Sequence, residues 1–228
     1  MYKRQFVHHD LSRACLVQSK DAIPRVILLG RVSLYGRGAA RLHEEIIAVA
    51  SRWTDPATRK TALRPFGREA EGRTLDLFED ALAGARKRVV SDHVRTQLSS
   101  SVARDIEDLL PHLEAEGDAI RADATQKLRD RGQRESTTLH TLLSEQRGRV
   151  MKELEKTGPD TSTQMKLPLP LPVEEQRQYD ANRRYWDRWL ANVEGDLERE
   201  PAKIRDFYEV GSSRIEPVGI AYLWPVTG

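Results

Sequence analysis

The sequence predicts an α+β fold: a small antiparallel β module built from both chain ends, with a long antiparallel helical arm, a coiled coil, inserted between them. Three observations predict it. Strand-forming residues gather near the two termini, in 23–34 and 215–224. Between these ends, helical periodicity runs with few breaks from residue 68 to residue 208. Within the last part of that stretch, 179–208, apolar residues recur every seven positions in two sets. One set is Tyr179, Trp186, Val193 and Phe207, with Glu200 as the exception; the other is Leu190, Leu197 and Ile204. The offsets of four and three residues make a heptad seam, which needs a partner helix to leave water.

The elements follow in order. Residues 5–17 alternate loosely and read as a short strand or two. Residues 23–34, IPRVILLGRVSL, are a clearer strand, in which Gly30 marks a bulge and Pro24 an entry. YGRGAAR is a turn. Residues 41–53 fit either a strand, read by twos, or a helix; the glycine turn before them and their β-branched residues favour a hairpin. A loop, 53–60, and one more short strand in ALRPFG complete the base.

The arm begins at residue 68. Leu75, Phe78 and Leu82 lie at helical spacing, then Val94, Leu98, Val102, Ile106 and Leu109 form a second stripe that ends at Pro111. Residues 112–156 are nearly continuous helix in pattern, but the middle, DRGQREST, is polar all round and predicts weak packing. A Pro-rich crossover at 157–172 turns the chain around. The heptad helix runs back, with a break or kink expected near Pro201. The last stretch, SRIEPVGIAYLWPV, is a strand that Pro217 and Pro225 confine to an edge or a bend. The division expected is thus a β-rich base of 1–67 plus 209–228 and a helical arm of 68–208.

Composition supports an elongated helical part: apolar residues make up 39% and charged residues 32% of the 228. Net charge is only +2, but residues 1–41 hold eight basic residues against two acids. Such a module can face phosphate or an acidic protein surface. With the single cysteine, Cys15, no intrachain disulfide can form, and no apolar run approaches the ~20 residues of a membrane span. The expectation is a soluble, cytoplasmic protein with no membrane contact.

Chemistry is sparse. His8, His9 and Asp10 carry ligand atoms, but neighbours on a strand point to opposite faces. Leu42-His43-Glu44-Glu45 lacks the second histidine of a zinc helix, since position 47 is Ile47. A dyad of Cys15 with His8 or His9 competes with simple packing of a buried thiol. No phosphate-loop motif is present, and Gly36-Arg37-Gly38 lacks the strand-to-helix context for nucleotide. Tyr185, Trp186 and Trp189 beside Arg183, Arg184 and Arg188 fit base stacking, although their seam positions favour burial. Arg25, Arg31, Arg37 and Arg41, with few acids nearby, are the leading nucleic-acid candidates. Trp186, Leu190, Val193, Leu197 and Ile204 are the expected helix-packing residues. No catalytic or metal residue is assigned.

The strings PRVILLGRVSLYGRGAARLHEEIIAVASRW, LRPFGREAEGRTLDLFEDAL, RDRGQRESTTLHTLLSEQRGRV and FYEVGSSRIEPVGIAYLWPVTG together resemble the C-terminal extension of bacterial SNF2-like helicases, in particular the DrmD-like helicases of DISARM anti-phage systems. The resemblance covers most of the chain. It implies two RecA-like motor lobes elsewhere that hold ATP and magnesium, and a chain here that has no cofactor of its own. The partners it implies are those ATPase lobes, other defence-system subunits, and duplex DNA. The family's catalytic motifs have no counterpart here, so no catalytic residue carries over. A coiled-coil interaction scaffold with no nucleic-acid role is the competing expectation.

Overall fold

The computed structural model describes residues 14–83, 90–156 and 173–225. The proposed strand before residue 14, with His8, His9 and Asp10, and the crossover at 157–172 lie outside them. The class is α+β. Strands β1 (Ala14–Ser19), β2 (Arg25–Tyr35), β3 (Arg41–Arg52) and β4 (Ser212–Pro225) accompany helices α1 (Arg68–Ala83), α2 (Asp92–Lys156) and α3 (Val173–Tyr208). Two compact units result: one of residues up to 35, 39–125 and from 210 on, the other of 36–38 and 126–209.

In the first unit the sheet order is β1-β4-β2-β3. Both chain ends meet in it, as expected, and 41–52 is the hairpin partner of β2. The sheet is mixed, because β1 runs parallel to β4 while the other pairings are antiparallel. Two strands separated by nearly the whole chain have no tight turn to force them antiparallel. β4 lies inside the sheet and not at its edge. Its prolines are tolerated because β1 covers only 220–225, so Pro217 has a neighbour on one side alone. A register shift opposite Leu29 and Gly30 takes up the extra residue Val218, so the bulge expected at Gly30 lies on the facing strand β4 and not on β2.

Both faces of the sheet are covered. One buries Ile27, Ala50, Ala221 and Leu223 against Phe66, Leu75, Leu77 and Phe78, the last three on α1. On the other, Leu113 of α2 seats on Gly30, and Gly117 admits Ile215. The division at residue 68 is therefore displaced: α1 and α2 up to residue 125 belong with the sheet. The cause is β2 itself, which buries Val26, Leu28, Val32 and Leu34 on one side and Ile27 on the other and needs a helix over each.

Pro111, expected to start a new helix or to make a kink, does not divide the helix. α2 runs through it, because Pro111 is exposed and the carbonyl it fails to bond can meet water. α3 likewise continues through Pro201, which is buried.

Gly30 supports a sharp prediction. A Cβ there would stand 2.7 Å from Leu113 Cδ2 and 3.0 Å from Cγ, and Leu113 is 0% exposed with nowhere to swing. Gly30→Ala is expected to cost about 1–3 kcal/mol by overpacking. Gly72→Ala, in open space on α1, is expected to gain up to about 1 kcal/mol from helix propensity. Urea denaturation of the two variants checks the opposite signs.

In the second unit α3 runs antiparallel to 126–156 of α2. Arg205 Nη1 donates to Ser136 Oγ at 2.8 Å, and Tyr208 Oη donates to Glu135 at 2.8 Å. Farther along, Arg147 pairs with Glu194 at 3.5 Å. The polar DRGQREST stretch, expected to pack weakly, is instead where α3 docks closely. Gly132 and Ser136 are buried, and a Cβ on Gly132 would come within 3.0 Å of Tyr208 Cβ. The Arg131 guanidinium lies over the Tyr208 ring, 5.2 Å from its centroid. Small side chains replace apolar ones as the means of approach.

Candidate nucleic-acid interface

The four arginines proposed for phosphate do not converge. Arg25 is buried, paired with Asp21, and donates to Thr74 Oγ1 at 2.6 Å. Its guanidinium also lies 5.1 Å from the Phe66 ring centroid, so it clamps α1 to β2. Arg31 is bridged to Glu216 at 3.0 Å and to Glu44 at 3.3 Å. The Glu216 hydrogen bond holds it still more firmly protonated. Arg41 pairs with Glu44 as well. Arg37 differs: it is exposed on a short turn, Arg37–Ala39, where Gly38 takes φ 67° and Ala39 takes φ 60°.

A second cationic run was not among the candidates. From the last residue of β3 the chain reads RWTDPATRKTALR, with four basic residues and one acid. Arg52, Lys60 and Arg64 are exposed, and among the described residues none has an acidic partner. Arg59 points inward. Its Nη1 lies 2.6 Å from Asp105 Oδ1 and its Nη2 2.6 Å from Asp108 Oδ2, in a guanidinium side chain only 4% exposed. Its Nε and Nη2 make no aligned hydrogen bond. Asp105, fully buried, also accepts from Trp53 Nε1 at 3.0 Å, Ser101 Oγ at 2.9 Å and Tyr222 Oη at 2.8 Å. Burial and then the Asp105 charge push the Tyr222 hydroxyl far up, so it stays a donor. This hub ties the loop, α2 and β4 together.

Sequence reasoning missed the run after β3. Its signal was a local surplus of cations in a segment read only as a loop.

The packing residues do gather on one side of α3. Val193 is 1% exposed and Leu197 9%, while Trp186, Leu190 and Ile204 are half-buried. Trp186 and Trp189 meet edge-on at 6.0 Å, and Tyr185 stays 55% exposed. Trp186 faces Val150 and Leu154 of α2 across a gap of about 430 Å³.

The remaining candidates separate. His43 lies on β3 beside Glu45, 3.2 Å away, so helical ligand spacing does not apply. Among the described residues no group of three or more His, Cys, Asp or Glu side chains is placed to hold a metal ion. Cys15 is exposed on β1, yet partial burial of its thiol still raises its pKa and disfavours the thiolate. No helix among the described residues is long and apolar enough to cross a membrane. Compared with known proteins, the chain matches no family model, no curated protein and no solved structure at a significant level.

Proposed function

We propose that the chain is a non-catalytic accessory module, or a split subunit, of an SNF2-like DNA helicase or translocase in cytoplasmic anti-phage defence. It contacts duplex DNA or braces the motor. The observation that supports it is a group of exposed cations without acidic partners in the sheet unit, Arg52 at the end of β3 with Lys60 and Arg64 on the loop that follows; in the other unit Arg37 is exposed on its turn. The resemblance to helicase C-terminal regions points the same way. ATP and magnesium belong to the motor lobes in this reading, and this chain needs neither.

Duplex binding measured by fluorescence anisotropy is expected to weaken steeply with salt as counterions are released. Arg37→Ala is expected to flatten the plot of log affinity against log salt by about 0.9, one phosphate contact. Arg25→Ala, which removes an internal clamp, leaves the slope unchanged. No duplex binding at low salt, together with no complex with an SNF2-like ATPase, rejects the reading.

The second reading, a coiled-coil interaction scaffold without nucleic acid, is favoured by the exposed apolar residues of the helix pair. Leu142 is 53% exposed, Met151 45% and Phe207 55%. Changing these three to serine would abolish a scaffold's protein complex while leaving DNA affinity unaltered.

A further inference from the structure

We propose that the cleft between the end of β3 and the loop 54–64 holds the phosphodiester backbone of duplex DNA, with Arg52, Lys60 and Arg64 as its cationic contacts. This deepens the accessory-module reading and rests on its DNA-binding half.

The cleft is about 410 Å³, and the residues that line it include four basic side chains and no acid. One of the four, Arg59, is neutralised from behind by Asp105 and Asp108. The other three face the solvent side without acidic partners. Like charges gathered around one opening repel, and an anion placed among them relieves that repulsion. Arginine forks and a lysine point charge are the usual donors to phosphate oxygens.

The walls are held before any ligand arrives. Ser51 Oγ donates to the Arg64 carbonyl at 2.7 Å, and Ser51 bridges Pro65. The Leu63 N–H donates to Asp108 at 3.2 Å, and the N–H groups of Thr58 and Arg59 both donate to the Asp55 carbonyl. The loop's one acid is engaged outside the cleft: the Asp55 carboxylate accepts the Ala57 N–H at 2.9 Å and Gln97 Nε2 at 2.6 Å. A pinned, acid-free rim loses little entropy on binding.

Duplex is the form of nucleic acid that suits it. Single strands are held by bases stacked on aromatic rings, and no aromatic residue lines this cleft. The nearby Trp53 is 5% exposed, turned edge-on to Trp224 at 5.3 Å. What remains is contact with a backbone, independent of base sequence.

The test is anisotropy titration of the full chain with a labelled mixed-sequence duplex across a salt series. Three lost contacts make the slope of the triple variant R52A/K60A/R64A shallower by about 2.7, so wild type loses about 40-fold more affinity than the variant between about 50 and 200 mM salt. R52K/R64K is expected to keep the wild-type slope. Thermal melts establish that the variants fold, and Lys60→Glu alone, a single surface change, is expected to weaken binding at least as much as Lys60→Ala. Wild type that binds no duplex at low salt overturns the cleft and the DNA-binding reading together. Wild type that binds, with the triple variant matching its affinity and slope, overturns the cleft alone. A single strand bound more tightly than the duplex overturns the choice of ligand.

Discussion

Asp105→Ala is expected to destabilise the sheet unit by about 3–5 kcal/mol, because it strips a buried guanidinium of one of its two carboxylate partners and leaves three buried donors without an acceptor. The carboxylate is 0% exposed, and each oxygen has a distinct task. Oδ1 meets Arg59, while Oδ2 accepts hydrogen bonds from Trp53, Ser101 and Tyr222. Asp108 still lies 2.6 Å from the other end of Arg59, so the charge is not wholly orphaned. Asn in place of Asp keeps the volume but turns one acceptor into a donor. If the amide nitrogen faces Arg59, two donors oppose each other; if it faces the other side, three neutral donors lose their acceptor. A loss of about 1.5–3 kcal/mol is expected for Asp105→Asn, the worth of a hydrogen bond to a charged group. Trp53 and Trp224 lie in this unit, so tryptophan fluorescence in urea reports its unfolding. A loss for Asp105→Ala below about 0.5 kcal/mol, the scale of a surface change, would mean that the hub does not hold the loop.

That hub was illegible in the sequence for a plain reason. Its members are Trp53, Arg59, Ser101, Asp105 and Tyr222, and Tyr222 is 117 residues from the carboxylate it serves. Periodicity reports which face a residue occupies and not what stands opposite it. The same limit explains Arg31, which looked free because Glu216, one of its two partners, is 185 residues away. It does not explain Arg25 and Arg41, whose partners Asp21 and Glu44 stand close by in the sequence. The alternation in 41–52 was readable, and so was the need of a terminal strand for a sheet. Strand order and the parallel β1–β4 pairing were not, since no short connection encodes them. The placing of α1 and early α2 could have been read from β2, whose apolar run is too continuous for a half-exposed strand. The docking power of DRGQREST was missed because a search for apolar residues passes over Gly132 and Ser136.

Leu197→Ala is expected to cost about 2–4 kcal/mol, near the middle of the range for a buried leucine, whereas Phe207→Ala should change stability by less than about 0.5 kcal/mol. The heptad pattern treats both as seam residues. The structure separates them: Leu197 is 9% exposed and Phe207 55%. A straight helix has 3.6 residues per turn and drifts by about 20° per heptad, so a strict seven-residue repeat holds its seam only if the helices supercoil. Here the stripe of buried and half-buried residues follows Trp186, Leu190, Val193 and Leu197, then steps to Pro201, Ile204 and Tyr208. Steps of four residues, Leu197 to Pro201 and Ile204 to Tyr208, stand where steps of three were expected; Ile204 keeps its place, and Glu200, the exception in the pattern, is the point of change. Tyr208 thereby takes the place of Phe207, with Gly132, Glu135 and Arg131 around it. Its hydrogen bond to Glu135 raises the Tyr208 pKa, and the Arg131 and Tyr208 hydrogen bonds lower that of Glu135, so both groups keep the charge states that the contact needs. Trp186 and Trp189 report on this unit in denaturation. Equal losses for Leu197→Ala and Phe207→Ala would restore the strict heptad and remove the seam shift at Glu200.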